Sequence, residues 1–217
     1  MPEPRIITHP YDIAATLAAL GPGLSRDSLK EALLKGLAAK RQTSPWHPIT
    51  AAGYNAWAGT VFGLRFKLVP QGWIYESKSL WEIVAYPPTQ AVIAVASGDS
   101  DTGRPDGMPC TKREKGPQAE EAIRQVRQAQ LPLSPASSDD SDSPNCPLGN
   151  TWFLLYFFDE REIRFELSMP AEMNAKHQVS NWLTRAIFDP LPLHPIVDPT
   201  PDFGAAIDVP VRRKKRP

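Results

Sequence analysis

Residues 151–170 read TWFLLYFFDEREIRFELSMP. Positions 152–158 are an unbroken apolar run of β-forming residues with almost no polar face. A short run of this kind is covered on both sides and belongs in the middle of a sheet. Asp159 and Glu160 interrupt it, and residues 161–169 follow. There Ile163, Phe165 and Leu167 alternate with Glu162, Arg164 and Glu166. Alternation with a period of two marks a strand with one wet face. The stretch therefore predicts an antiparallel hairpin whose second strand is a half-exposed edge.

Working outward, residues 80–86 and 91–96 form a second pair of β-rich runs. Pro87, Pro88, Thr89 and Gln90 separate them, a four-residue hairpin loop. Residues 73–75 read as a further short strand. Helical spacing appears at 10–20, with Pro10 in the first turn, and at 26–40, with Ser25 as cap and Leu29, Leu33 and Leu37 in line. Tyr54, Trp57, Val61, Leu64 and Leu68 give a longer helix over 50–68. Ala119, Ala122, Ile123 and Val126 give another over 117–130. Asn174 is expected to cap a last helix, with Val179, Trp182, Leu183, Ala186 and Ile187 as its buried stripe. The fold expected is α+β: an antiparallel sheet of four to five strands built from two hairpins, with helices packed on it.

Residues 131–150 read LPLSPASSDDSDSPNCPLGN and offer little to bury. They are expected to be a linker. Residues 189–217 are rich in proline and end in five bases, the pattern of a tail. The organisation expected is a helical segment at 1–44, an α+β domain in two parts at 45–130 and 151–188, the linker between them, and the tail.

The chain has 217 residues, 24 basic and 24 acidic. Without the five tail bases, 19 basic residues face 24 acidic ones, a net of −5, so a broad nucleic-acid surface is not expected on the folded part. Two cysteines exclude a disulfide scaffold. Four separated histidines give no zinc spacing. No apolar run approaches the ~20 residues of a membrane span. Pro2, Glu3 and Pro4 stand where a signal peptide would begin, so secretion is not expected.

The segment 97–117, SGDSDTGRPDGMPCTKREKGP, holds the densest mixture of Gly, Asp and basic residues, after a strand and before a helix. Glycine-rich backbone and a helix N-terminus can cradle an anion. Gly98, Asp99, Asp101, Gly103, Arg104, Lys112 and Lys115 are candidates for binding phosphate or a partner. With Asp99 and Asp101 on Mg²⁺, the loop would serve a phosphate-directed hydrolase. The competing reading is a solvated loop whose Asp and Gly residues make turns. There is no P-loop, and Cys110 stands where a calcium loop needs its bidentate Glu. The 159–166 acids lack the Glu-x-Lys of a restriction-type nuclease. No catalytic motif is complete, and no cofactor is required. Trp46 and Trp73, near turns, are interface candidates. Arg212, Arg213, Lys214, Lys215 and Arg216 are candidates for binding nucleic acid.

Three blocks carry a resemblance: Gly53-Tyr54-Asn55-Ala56-Trp57, residues 91–118, and residues 151–170. Together they resemble an uncharacterised family of accessory proteins carried by bacterial plasmids, integrative elements and prophages. The resemblance implies a bacterial cytoplasmic setting and a role in competition between mobile elements. Fertility inhibition and anti-defence activity are roles of that gene class. The partner implied is a protein component of a conjugation or host-defence machine. The resemblance assigns no catalytic residue.

Overall fold

The computed structural model describes residues 3–79, 81–129 and 150–193. In chain order the elements are β1 (Arg5–Ile7), α1 (Pro10–Leu20), α2 (Arg26–Arg41), α3 (Ala51–Leu68), β2 (Ile74–Lys78), β3 (Trp81–Tyr86), β4 (Ala91–Ser97), α4 (Pro117–Ala129), β5 (Asn150–Phe158), β6 (Glu162–Met173), β7 (Val179–Ile187) and β8 (Leu191–Pro192). One mixed sheet of eight strands runs in the order β1-β7-β6-β5-β4-β3-β2, with β8 also on β6. The apolar β5 is its central strand, as its lack of a polar face demands.

Both expected hairpins are present, β3–β4 and β5–β6. They are joined in parallel, β4 to β5, by a crossover through α4. A second parallel pair, β1 with β7, ties the N-terminus into the sheet. The sheet is thus larger than four or five strands and is not purely antiparallel. The extra strands are short or irregular, which is why local patterning underweights them.

The sheet has two covered faces. On the first lie α1, α2 and α3, packed on Val84, Ile93, Val95, Trp152, Leu154, Phe165 and Leu167. On the second, α4 packs on Val92, Ala94, Ala96, Phe153 and Leu155. Ser25 and Ser28 bond each other's backbone N–H across the first turn of α2, a reciprocal cap. Gly36 costs α2 some propensity, but a Cβ there would lie 2.0 Å from Thr60 Oγ1. The glycine is what lets α2 and α3 approach.

Two expectations are overturned. Residues 179–187 are a strand, not a helix. The β6–β7 pairing carries register shifts at Met169/Pro170, Pro170/Glu172 and Glu172/Met173. These bulges break the period of two, so Val179, Trp182 and Arg185 share one face at steps of three. That spacing imitates a helical stripe. Asn174 caps no helix; its Oδ1 accepts from the backbone N–H of Lys176 and Gln178 and so closes the β6–β7 turn. Nor is β6 a half-exposed edge. It lies between β5 and β7, and Arg164 and Glu166 are buried. Of the expected tail, Leu191–Pro192 pairs with the start of β6. The linker to residue 149 and the tail from residue 194 lie outside the described residues.

Candidate functional site

The chain leaves the C-terminal end of β4 at the centre of the sheet and makes the 97–116 loop before α4. The loop is pinned at every turn. The Asp99 carboxylate accepts from the backbone N–H of Asp101 at 3.1 Å and of Cys110 at 2.9 Å. The Asp101 carboxylate accepts from Met108 N–H at 3.2 Å. Both acids therefore staple the loop to itself. No group of three or more His, Cys, Asp or Glu residues suited to a metal ion occurs among the described residues.

Beneath the loop lies a buried ion pair. Arg185 Nη2 and Nε reach the two oxygens of Glu166 at 2.5 and 3.1 Å. The same guanidinium donates to the carbonyls of Gly107 at 2.7 Å and Arg104 at 3.0 Å. Glu166 also accepts from Gly103 N–H and from Ser168 Oγ. Gly103 has φ of 72°, and a Cβ there would lie 3.0 Å from Arg164 Cβ. Positive φ and the close approach to β6 both call for glycine. Trp182 Nε1 donates to Pro109 O at 2.8 Å. Glu166 of β6 and Arg185 of β7 thus hold the loop down, which explains why the Glu166 carboxylate lies inside the sheet. Such a pair is costly to bury and holds because its remaining lone pairs and N–H groups are bonded.

The return leg, residues 110–115, runs back beside the end of β4. Lys112 N–H donates to Ser97 O, and Thr111 N–H to Val179 O. This leg forms one wall of a cleft of about 480 Å³ at the C-terminal end of β4. The opposite wall is the first turns of α3. Tyr54 and Trp57 stand there with ring centroids 5.7 Å apart, and Trp57 Nε1 donates to Val95 O at 3.1 Å. Trp81 and Phe153, 5.8 Å apart, also line it. Arg113 and Lys115 enter from the return leg.

A second cavity of about 450 Å³ shares Gly53, Ser97 and Arg113 with the first. Lys40, Lys112, Tyr156, Phe157 and Phe158 complete much of its lining, which contains no carboxylate. Lys112 Nζ lies 5.1 Å from the Phe157 ring and Lys40 Nζ 5.7 Å from the Phe158 ring. The two cavities form one trough along α3. A Cβ added at Gly53 would meet nothing within 4 Å, so the first turn of α3 is open to it. The trough lies outside the carboxyl end of a parallel strand pair, where open α/β sheets commonly place ligands.

Lys115 is half-buried in the cleft, and no carboxylate among the described residues lies within salt-bridge distance of it. Burial first, and then the charge of Arg113, lower its ammonium to about 8. Burial raises the Cys110 thiol, with Asp99 adding to it, so this cysteine is a poor nucleophile. Burial also raises the Tyr156 phenol well above its usual value.

The sequence candidates therefore separate. Lys112, Lys115 and Gly98 line the trough. Asp99 and Asp101 through their carboxylates, and Gly103 and Arg104 through their backbone, are engaged in holding the loop. Trp73 is 2% exposed, and its indole N–H donates to Pro22 O at 2.8 Å, so it is core. Trp46 is 96% exposed. Arg212 to Arg216 lie outside the described residues. Tyr54, Trp57, Trp81, Phe153, Lys40 and Arg113 were not singled out as site residues by sequence reasoning. Only Arg113 carried a signal, its place in the 97–117 segment. The aromatics look like core, and Lys40 like an ordinary helix C-terminal base. No protein-family model matches the chain, and no curated protein or solved structure matches it either.

Proposed function

We propose that the protein binds a phosphate-bearing aromatic ligand, a nucleotide or a short single strand of nucleic acid, in the trough between α3 and the 110–115 leg. One observation carries this reading: Lys115 sits half-buried beside Arg113, with no carboxylate partner among the described residues, in a cleft walled by Tyr54, Trp57 and Trp81. An ammonium held out of water without a counter-charge is stabilised by an incoming anion. Lys40, Lys112 and Arg113 add positive charge along a trough whose first cavity also takes in Glu82 and Glu114, and the rings offer stacking surfaces for bases. The mildly acidic balance of residues 1–210 does not oppose this, because the lining of the second cavity is locally basic. The Asp99 and Asp101 carboxylates already serve the loop by accepting its backbone N–H groups, so nothing in their arrangement calls for Mg²⁺. Binding is therefore the better supported half of the phosphate reading.

The test is titration of the intrinsic tryptophan fluorescence with nucleoside mono- and triphosphates and with a short oligothymidylate. Saturable quenching that weakens with salt is expected. Four cations along a single strand give a slope of log K against log[salt] of about −2 to −3. Absence of any saturable, salt-dependent response across the panel would reject the proposal.

A second reading, inhibition of a protein component of a transfer or defence machine, is favoured by a different feature. Trp46 and Ile49, in the α2–α3 connection, are 96% and 99% exposed. Large apolar side chains held wholly in water are common anchors at interfaces. Expression in a donor strain should then lower plasmid transfer or blunt a defence system, and Trp46→Ser with Ile49→Ser should remove the effect. Inhibition that survives the double substitution rules out this surface.

A further inference from the structure

The outer edge of β2 has no strand on it among the described residues. All five residues of Ile74–Lys78 are exposed, and β2 pairs only with β3. An uncovered edge offers free backbone donors and acceptors to another strand. Side chains along β2 alternate between the two faces. Tyr75 and Ser77 are on the α3 side, where Arg65 Nη2 donates to Ser77 Oγ at 3.2 Å and the guanidinium lies 4.9 Å from the Tyr75 ring. Ile74, Glu76 and Lys78 therefore share the opposite face. No other described residue forms an ion pair with Glu76 or Lys78.

We propose that β2 pairs antiparallel with β2 of a second copy of this chain, about a two-fold axis at Ser77. In that register Glu76 faces Lys78 of the second copy, and Lys78 faces its Glu76. Two opposite-charge cross-strand pairs form on one face, joining charges that no other described residue of the single chain pairs. The alternatives are worse. An axis at Glu76 or at Lys78 sets like charges directly opposite each other. An axis between Glu76 and Ser77 aligns neither pair. The self-complementary pattern thus selects one register, which is the requirement of an isologous interface.

The geometry of antiparallel pairing adds a second consequence. The two-fold axis stands perpendicular to the sheet, so α3 of both copies lies on the same face of the joined sheet. Phe62 and Phe66, exposed on successive turns of α3 with centroids 5.9 Å apart, are then carried on one common surface. The joined sheet leaves no β2 edge free to template wider association. This inference rests on the β2 edge and not on the ligand proposed for the trough, although the trough's lining reaches Ser79 and Trp81 beside the Lys78 end of β2.

Sedimentation equilibrium of the full chain tests it, with charge exchange to read the register. The wild type is expected to weigh twice the chain mass. Glu76→Lys alone, or Lys78→Glu alone, turns two attractive pairs into two repulsive ones and should weaken the dimer roughly tenfold to a hundredfold. Glu76→Lys together with Lys78→Glu restores opposite charges across the axis and should restore the dimer. These side chains are exposed, so circular dichroism should show all three variants folded. A wild type that stays monomeric at every concentration overturns the proposal. So does a dimer that ignores the single exchanges, or one that the double exchange fails to restore.

Discussion

Lys115→Met is the perturbation that tests the trough most sharply, because it should raise stability and lower binding together. The Lys115 ammonium falls from 10.5 to about 8, first through burial and then through Arg113. At pH 7 the group is charged in both the folded and the unfolded chain, so the folded state carries the full cost of that charge. A lowering of this size corresponds to at most about 3 kcal/mol. Between pH 8 and 10.5 the unfolded chain retains a proton that the folded chain has released. Stability of the wild type should therefore rise with pH across that window, relative to a variant without the amine. Methionine keeps most of the stem volume and removes the charge. Urea unfolding at pH 7 should show the variant more stable by about 1–3 kcal/mol, and the gap should close by pH 10.5. Loss of a charge-assisted bond to phosphate should meanwhile weaken nucleotide binding by about tenfold to a hundredfold. Wild-type affinity should itself decline above pH 8, as the free ammonium is lost. A variant less stable than wild type at pH 7, or a gap that does not change with pH, would refute the account of a desolvated lysine. Unchanged nucleotide affinity would remove Lys115 from the site.

Gly53→Leu should fill the trough without disturbing the fold, since a Cβ there meets nothing. Helix propensity should add about 0.5–1 kcal/mol in thermal unfolding while ligand titration loses most of its amplitude; unaltered binding would place the ligand elsewhere. Asp99→Ala leaves the N–H groups of Asp101 and Cys110 without their acceptor. It should cost about 1–3 kcal/mol and speed hydrogen exchange at those two amides; unchanged exchange would show that the staple contributes nothing. Arg185→Met strands the Glu166 carboxylate in the interior and should cost about 3–5 kcal/mol in urea unfolding. Arg185→Met with Glu166→Leu should recover much of that loss, and a further loss in the double variant would show that the loop carbonyls dominate.

The four described helices were legible in the sequence because each is specified by residues three or four apart, and by a first-turn signal such as Ser25 or Pro10. The two hairpins were legible because a turn joins strands that are neighbours in the chain. The centrality of β5 followed from composition alone, since a strand with no polar face must be covered twice. The 97–117 segment was marked by its residue types, and Lys112 and Lys115 were among its candidates. What the sequence left open was every feature made by segments far apart. β7 reads as a helix until its bulged pairing with β6 is known. Arg164 and Glu166 read as a wet face until Arg185 and the loop close over them. Asp99 and Asp101 stand out by residue type alone, and only the folded loop shows that their carboxylates accept from its own amides. The trough joins the first turns of α3, the end of β4 and the 110–115 leg, up to about 60 residues apart in the chain. Short-range periodicity records what a segment buries, but not which distant segment buries it. Strand order, loop closure and the meeting of Lys115 with Trp57 depend on that second choice, which only the packed sheet makes.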